Sequence, residues 1–118
     1  VNLDVRSMEK ETADILLNKE IIAINQDSLG KQAVTLFTRD SVQVLKKELQ
    51  NGDLAICVFN RGDQPATFNL NLKKDLNIWF PASVRNILDN ETVKKASKLT
   101  NRLLSHDCRI YRISKIKS

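Results

Sequence analysis

Apolar residues recur at helical spacing along the first part of the chain: Ala13, Leu16, Leu17, Ile21 and Ile24 fall on one stripe of a 3.6-residue period. Ser7 can cap the start of that segment, and Glu9 and Glu11 sit in its first turn, where the helix dipole favours negative charge. Asn18 is placed to interrupt the helix and cap a short second one. Beyond Asn25 the stripe stops, and Asp27, Ser28 and Gly30 supply turn chemistry. From Gln32 the period becomes two. Val34 and Leu36 alternate with Thr35, and a second run, Val42 to Leu49, leads into Asn51-Gly52, the dipeptide that favours a type I′ hairpin turn. The second arm, Leu54 to Phe59, is apolar at every position, which predicts a central strand covered on both faces.

Asn60, Arg61, Gly62 and Asp63 then form a polar loop, and Pro65 precedes a strand in which Phe68, Leu70 and Leu72 point one way while Thr67, Asn69 and Asn71 point the other. Weaker strand signals follow at Asn77 to Phe80, Ser83 to Leu88, Leu99 to Leu104 and Cys108 to Ile113, with a turn at Asp89-Asn90. Short strands after one helical segment predict a mainly β fold rather than repeated βαβ units. The expected architecture is an antiparallel β-sandwich of Greek-key type preceded by a short helical segment. The helical lead-in is placed at 1–27 and the sandwich at 28–118.

Composition agrees with a globular core. Of 118 residues, 42% are hydrophobic and 28% charged, with 3 Gly and 2 Pro, so the chain fits one ordinary domain. No window approaches the roughly 20 apolar residues that span a bilayer, so no membrane partner is expected. The chain begins with Val, without a basic n-region or apolar h-region, which suggests a piece excised from a longer protein. The net charge of +5 invites a nucleic-acid reading, but basic and acidic residues alternate through most of the chain and the aromatics give no stacking platform. No nucleic-acid partner is expected. Lys94, Lys95, Lys98, Lys115 and Lys117 are the basic residues without close acidic neighbours.

Candidate chemistry is sparse. Cys57 and Cys108 lack C-x-x-C spacing and read as buried small hydrophobes that can pair only if their strands are neighbours. No metal or cofactor is expected. Asp4, Asp27, Asp53, Asp63, Asp89 and Glu91 all fall at loops or element ends, where acids are ordinary surface groups. His106 lies between Ser105 and Asp107, but adjacent residues in a turn seldom converge on one reacting atom, so a turn before the last strand is its expected role. Arg61-Gly62-Asp63 reads as loop rather than adhesion motif, and Asn90-Glu91-Thr92 is a glycosylation acceptor only in a secreted eukaryotic protein. A weak carbohydrate-binding module presents an exposed aromatic plane flanked by amide and charged groups, and Trp79 with Asn77 is the visible candidate. The neighbours Ile78, Phe80 and Pro81 favour a core Trp79 instead. A purely structural or oligomer-forming module is the remaining alternative.

Three segments carry a family resemblance. The run Ile15-Leu16-Leu17-Asn18-Lys19-Glu20-Ile21-Ile22-Ala23-Ile24-Asn25-Gln26-Asp27-Ser28-Leu29-Gly30 resembles the stretch joining the last barrel helix to the C-terminal β-domain in glycoside hydrolase family 27, the α-galactosidases and their relatives. Gly52 to Asp63 and His106 to Ile113 agree in order and spacing, and Asp4-Val5-Arg6-Ser7-Met8 looks like the entry into that helix. Ser28, Leu45 and Asp107 depart from the family pattern, and little is recognisable from Leu72 to Leu104. The resemblance implies that 1–27 ends a (β/α)8 barrel, that 28–118 is its accessory sandwich, and that the barrel of the parent chain is its partner. The parent is then an exo-glycosidase that removes terminal α-galactosyl residues, in a compartment of secreted, periplasmic or lysosomal type. Retaining hydrolysis needs two carboxylates about 5 to 5.5 Å apart, at the C-terminal ends of barrel strands. Those aspartates come from strands preceding Val1, so no catalytic residue is assigned and the fragment alone is expected to be inactive. The helix stripe is expected to face the barrel in the parent, and without that partner to pack on the sandwich, associate with another copy or lose order.

Overall fold

The computed structural model describes residues 19–27 and 30–116; the expected cap Ser7, the stripe residues Ala13, Leu16 and Leu17, and Asp4 lie outside them. Residues 19–25 are helical. Eight strands follow: β1 Val34–Arg39, β2 Val42–Glu48, β3 Leu54–Asn60, β4 Ala66–Asn71, β5 Ala82–Asn86, β6 Glu91–Val93, β7 Lys98–Leu103 and β8 Cys108–Lys115. They form a six-stranded sheet in the order β1-β2-β3-β8-β5-β6 and a two-stranded sheet, β4-β7. All pairings are antiparallel. The chain crosses to the small sheet after β3, returns for β5 and β6, crosses again for β7, and ends with β8 inserted between β3 and β5. These crossovers make the mainly β, Greek-key-type sandwich that the alternating pattern predicts.

The inward positions of both sheets meet in one core. Val44, Ile56, Val58 and Ile113 of the large sheet and Leu70 and Leu103 of the small sheet are each at most 1% exposed. Each such side chain stabilises the fold by about 1.5–3 kcal/mol relative to exposure. Phe68 and Tyr111 meet across the layers edge to face, centroids 6.2 Å apart. The uniform apolarity of β3 has the expected cause. Ile56 and Val58 face the core, whereas Ala55 faces outward into a second cluster with Leu49, Ile87 and Ile24 of the helix. The helical stripe is therefore not given over to another partner where it is described: Ile24 is buried on the sandwich and Ile21 packs beside it. Helix and sheet are also joined by a bidentate ion pair, with Arg85 Nε and Nη2 donating to Glu20 at 3.1 and 2.9 Å.

Several local expectations are corrected. The β2-β3 turn is not type I′, because only Gly52 has positive φ, at 86°. The Gly52 N–H donates to Leu49 O at 3.2 Å and the Leu49 N–H to Asp53 O at 2.9 Å, which encloses three loop residues with Gly52 in the left-handed position. In β1 a bulge at Leu36 breaks the alternation, and Val34 on this edge strand is 56% exposed. Residues 77–80 form no strand, and β6 is a short edge strand without a sequence signal. The Arg61-Gly62-Asp63 loop, expected as a polar loop, carries the crossover between the two sheets. Cys57 and Cys108 lie on neighbouring strands, two residues out of register, as free half-buried thiols rather than fully buried ones.

Candidate functional site

The segment after β4 builds the most distinctive surface of the molecule. Asn71 ends β4 by accepting, through its side-chain oxygen, the N–H groups of Lys73 and Lys74 at 3.0 and 2.9 Å. Asp75 Oδ2 accepts the Asn71 N–H at 2.7 Å, which locks the turn from the other side. Beyond it, Leu76 and Ile78 are 4% and 2% exposed and anchor the segment in the core. Residues between and after these anchors point outward. Asn77 adopts φ 57°, and Trp79 is 69% exposed.

The core placement favoured for Trp79 is thus overturned. Its apolar neighbours Ile78 and Phe80 suggested burial, but side chains alternate along an extended segment, and burying Ile78 turns Trp79 to solvent. The indole is nonetheless fixed: Nε1–H donates to Asn77 Oδ1 at 2.8 Å, and Lys73 Nζ stands 5.6 Å from the ring centroid. The structure therefore brings together the two residues singled out from sequence. It adds Lys73, Phe80, Lys95 and Ser97, which line the same groove of about 590 Å³. Hydrogen bonds from Leu72 N–H to Ser97 O and from Ala96 N–H to Ala82 O, both 3.0 Å, hold the 95–97 turn against it. Lys95 has φ 56°. Only the tertiary pairing of 95–97 with 72 and 82 reveals these partners, and no sequence spacing signals it.

A second groove, about 190 Å³, lies between the helix and the outer face of the large sheet, lined by Ile21, Ile24, Leu45, Ala55, Cys57 and Ile110. It is aliphatic and has no aromatic plane.

Among the described acids weighed as catalytic candidates, Asp27, Asp53 and Asp89 hold scaffold contacts. Asp53 pairs with Arg112 at 2.9 Å, and Asp27 Oδ2 accepts the Gln50 N–H at 2.7 Å. Asp63 is an exposed loop residue 3.4 Å from His106, and Glu91 is exposed on β6. Asp89 and Asp107 do converge, but on the guanidinium of Arg109, each at 3.0 Å. The Ser105-His106-Asp107 run diverges: Ser105 Oγ donates to Gly62 O at 2.9 Å, while His106, with φ 59°, forms the turn before β8. The Asn90 side-chain oxygen accepts from Arg85 Nη2 at 2.7 Å. Among the described residues, no helix is long and apolar enough to cross a membrane.

Residues 39–113 match the family described as the alpha galactosidase C-terminal beta sandwich domain. An alpha-galactosidase of Oryza sativa subsp. japonica is 31% identical over 115 residues, covering 94% of this chain and 27% of the relative. Alpha-galactosidase 2 of Arabidopsis thaliana is 29% identical over 120 residues, covering 100% of this chain and 30% of the relative. Among solved structures, alpha-galactosidase I from Mortierella vinacea superimposes with a TM-score of 0.72 over 84% of this chain and 27% of that one; its 22% identity makes this a likeness of fold. The chain thus spans between a quarter and a third of the length of these curated relatives.

Proposed function

The chain belongs to the family of alpha-galactosidase C-terminal β-sandwich domains, and from that premise we propose that it is the accessory domain of an exo-glycosidase that removes terminal α-galactosyl residues. In this reading 1–27 closes a catalytic (β/α)8 barrel, 28–118 stabilises and shapes it, and the acids of the reaction belong to the barrel. The observation that carries the proposal is the match over 39–113, together with relatives several times longer than this chain. The parent protein should release galactose from p-nitrophenyl α-galactoside, and this chain alone should not. Failure of the parent to act on any α-galactoside or closely related glycoside would sink the reading.

The exposure of Trp79 favours a second role alongside the first. An indole 69% exposed and steadied by Asn77 offers an apolar plane with an amide at its edge, suited to the C–H face and hydroxyls of a pyranose. Galacto-oligosaccharides should perturb the fluorescence of this single tryptophan; an unchanged spectrum at saturating sugar removes the role.

A further inference from the structure

Three lysines gather at the Trp79 groove. Lys73 Nζ is 5.6 Å from the Trp79 ring and Lys115 Nζ is 5.9 Å from the Phe80 ring, while Lys95 lines the groove. Among the described residues none of the three takes part in an ion pair, although Arg85, Arg109 and Arg112 each have a carboxylate. The acid nearest in sequence, Asp75, is already engaged: Oδ2 holds the Asn71 N–H and Oδ1 faces Arg39 at 3.4 Å. This end of the sandwich therefore combines a fixed aromatic plane with positive charge that the protein does not neutralise. Asn77 gives its oxygen to the indole and keeps its NH2 to donate to a ligand.

We infer that the Trp79 groove binds a saccharide carrying an anionic substituent, a carboxylate or sulfate, on or beside the pyranose that stacks on the indole. The inference rests on the sugar-contact reading above and adds the charge of the ligand. Stacking alone serves neutral and acidic sugars equally. Ammonium groups beside the rings distinguish them, because an anion on the stacked sugar meets positive charge without breaking an internal ion pair. A bare anion gains the charge but leaves the indole unused. Nucleic acid fits less well, since successive bases need successive stacking planes and the groove offers one exposed indole.

The test titrates the full 118-residue chain with trigalacturonate, sulfated galactotriose, neutral galactotriose, inorganic phosphate and vesicles containing phosphatidylserine, and follows Trp79 fluorescence. At about 0.05 M salt an acidic trisaccharide should bind at least about tenfold more tightly than the neutral one, with the advantage falling below about threefold near 1 M salt. The two acidic arms separate carboxylate from sulfate. Trp79→Ala, followed by isothermal titration calorimetry because it removes the single tryptophan, should abolish binding of every sugar. Lys73→Gln combined with Lys95→Gln, which leaves Lys115 alone, should cut the acidic preference below about threefold at the same low salt, and a preference kept in full would overturn the inference. All three positions are exposed, and far-UV circular dichroism checks that the variants fold. Equal binding of neutral and acidic sugars would overturn this inference and leave sugar contact standing, whereas no response to any sugar would overturn both. A response to phosphate or vesicles matching that to the acidic trisaccharides would also overturn it, in favour of a general anion or lipid surface.

Discussion

Asn60 is the residue on which the two layers are most directly tied. It is 0% exposed at the end of β3, and its Nδ2 donates to Gln64 O at 2.8 Å, Leu104 O at 3.1 Å and Leu103 O at 3.3 Å. Its Oδ1 accepts the Gly62 N–H at 2.9 Å. One amide thus links the large sheet to the end of β7 and shapes the crossover loop. Asn60→Asp keeps the shape but points a carboxylate at three carbonyls, and should cost about 2–4 kcal/mol at neutral pH in urea unfolding. Burial and those carbonyls would raise the folded-state pKa of the introduced acid above the unfolded value of about 4. The variant's deficit should therefore be smallest below about pH 4 and grow as pH rises through the folded pKa. A deficit independent of pH would show that the carboxylate is solvated. Cys57 offers a second check at this scale. Burial, with a smaller contribution from Cys108, pushes its thiol up from 9.0 to about 11. Alkylation at pH 8.5 should accordingly be more than about tenfold slower in the native chain than in urea. Above the ordinary thiol range the unfolded chain ionises first, so this group's contribution to stability falls as pH rises toward 11.

At the scale of elements, the helix behaves as part of the sandwich. Ile24, 7% exposed, sits on Leu49, Ala55 and Ile87, and Glu20 reaches Arg85 on β5. Ile24→Ala should cost about 2–4 kcal/mol if the helix unfolds with the sheet. If it detaches by itself, hydrogen exchange will instead show protection lost at 21–26 and kept in β3 and β8. The sequence made this arrangement partly legible. The full apolarity of β3 implies a covered outer face, but periodicity says which residues are apolar and not what covers them, and for Ile21 and Ile24 it leaves barrel, sandwich and a second copy equally open. The same limit applied at Trp79. Trp79 and Asn77 stand out in the sequence as an aromatic with an amide nearby, but the exposure of the indole depends on Leu76 and Ile78 being anchored in the core. The Asn51-Gly52 dipeptide located the β2-β3 turn correctly, but loop length, fixed by the pairing of Glu48 with Leu54, decided the turn type. Lys95 and Ser97 join the groove only through a tertiary contact, beyond any local pattern.

For the whole molecule, the proposed accessory role concerns the outer face of the large sheet. The helix from which the chain continues toward residues 1–18 lies on this face, so in the proposed reading a barrel built from preceding residues would be tethered there. Leu45, Cys57 and Ile110 form a cross-strand row over β2, β3 and β8 that stays only half-buried, and Ile22 on the helix is 50% exposed. Apolar surface of this kind beside a tether is suited to a neighbouring domain. Ile22→Lys, an exposed change, should alter the stability of this chain by less than about 0.5 kcal/mol. In the parent protein the same substitution should strand a charge in the interdomain contact and lower the thermal inactivation midpoint, by about 2–4 °C for each kcal/mol lost. Turnover on an α-galactoside well below that midpoint should stay unchanged, because in the proposed reading this face belongs to the supporting layer and the reacting carboxylates to the barrel. Unaltered thermal behaviour of the parent would mean that the barrel packs elsewhere on the sandwich, and a lower turnover with the midpoint intact would mean that this face shapes the active site directly.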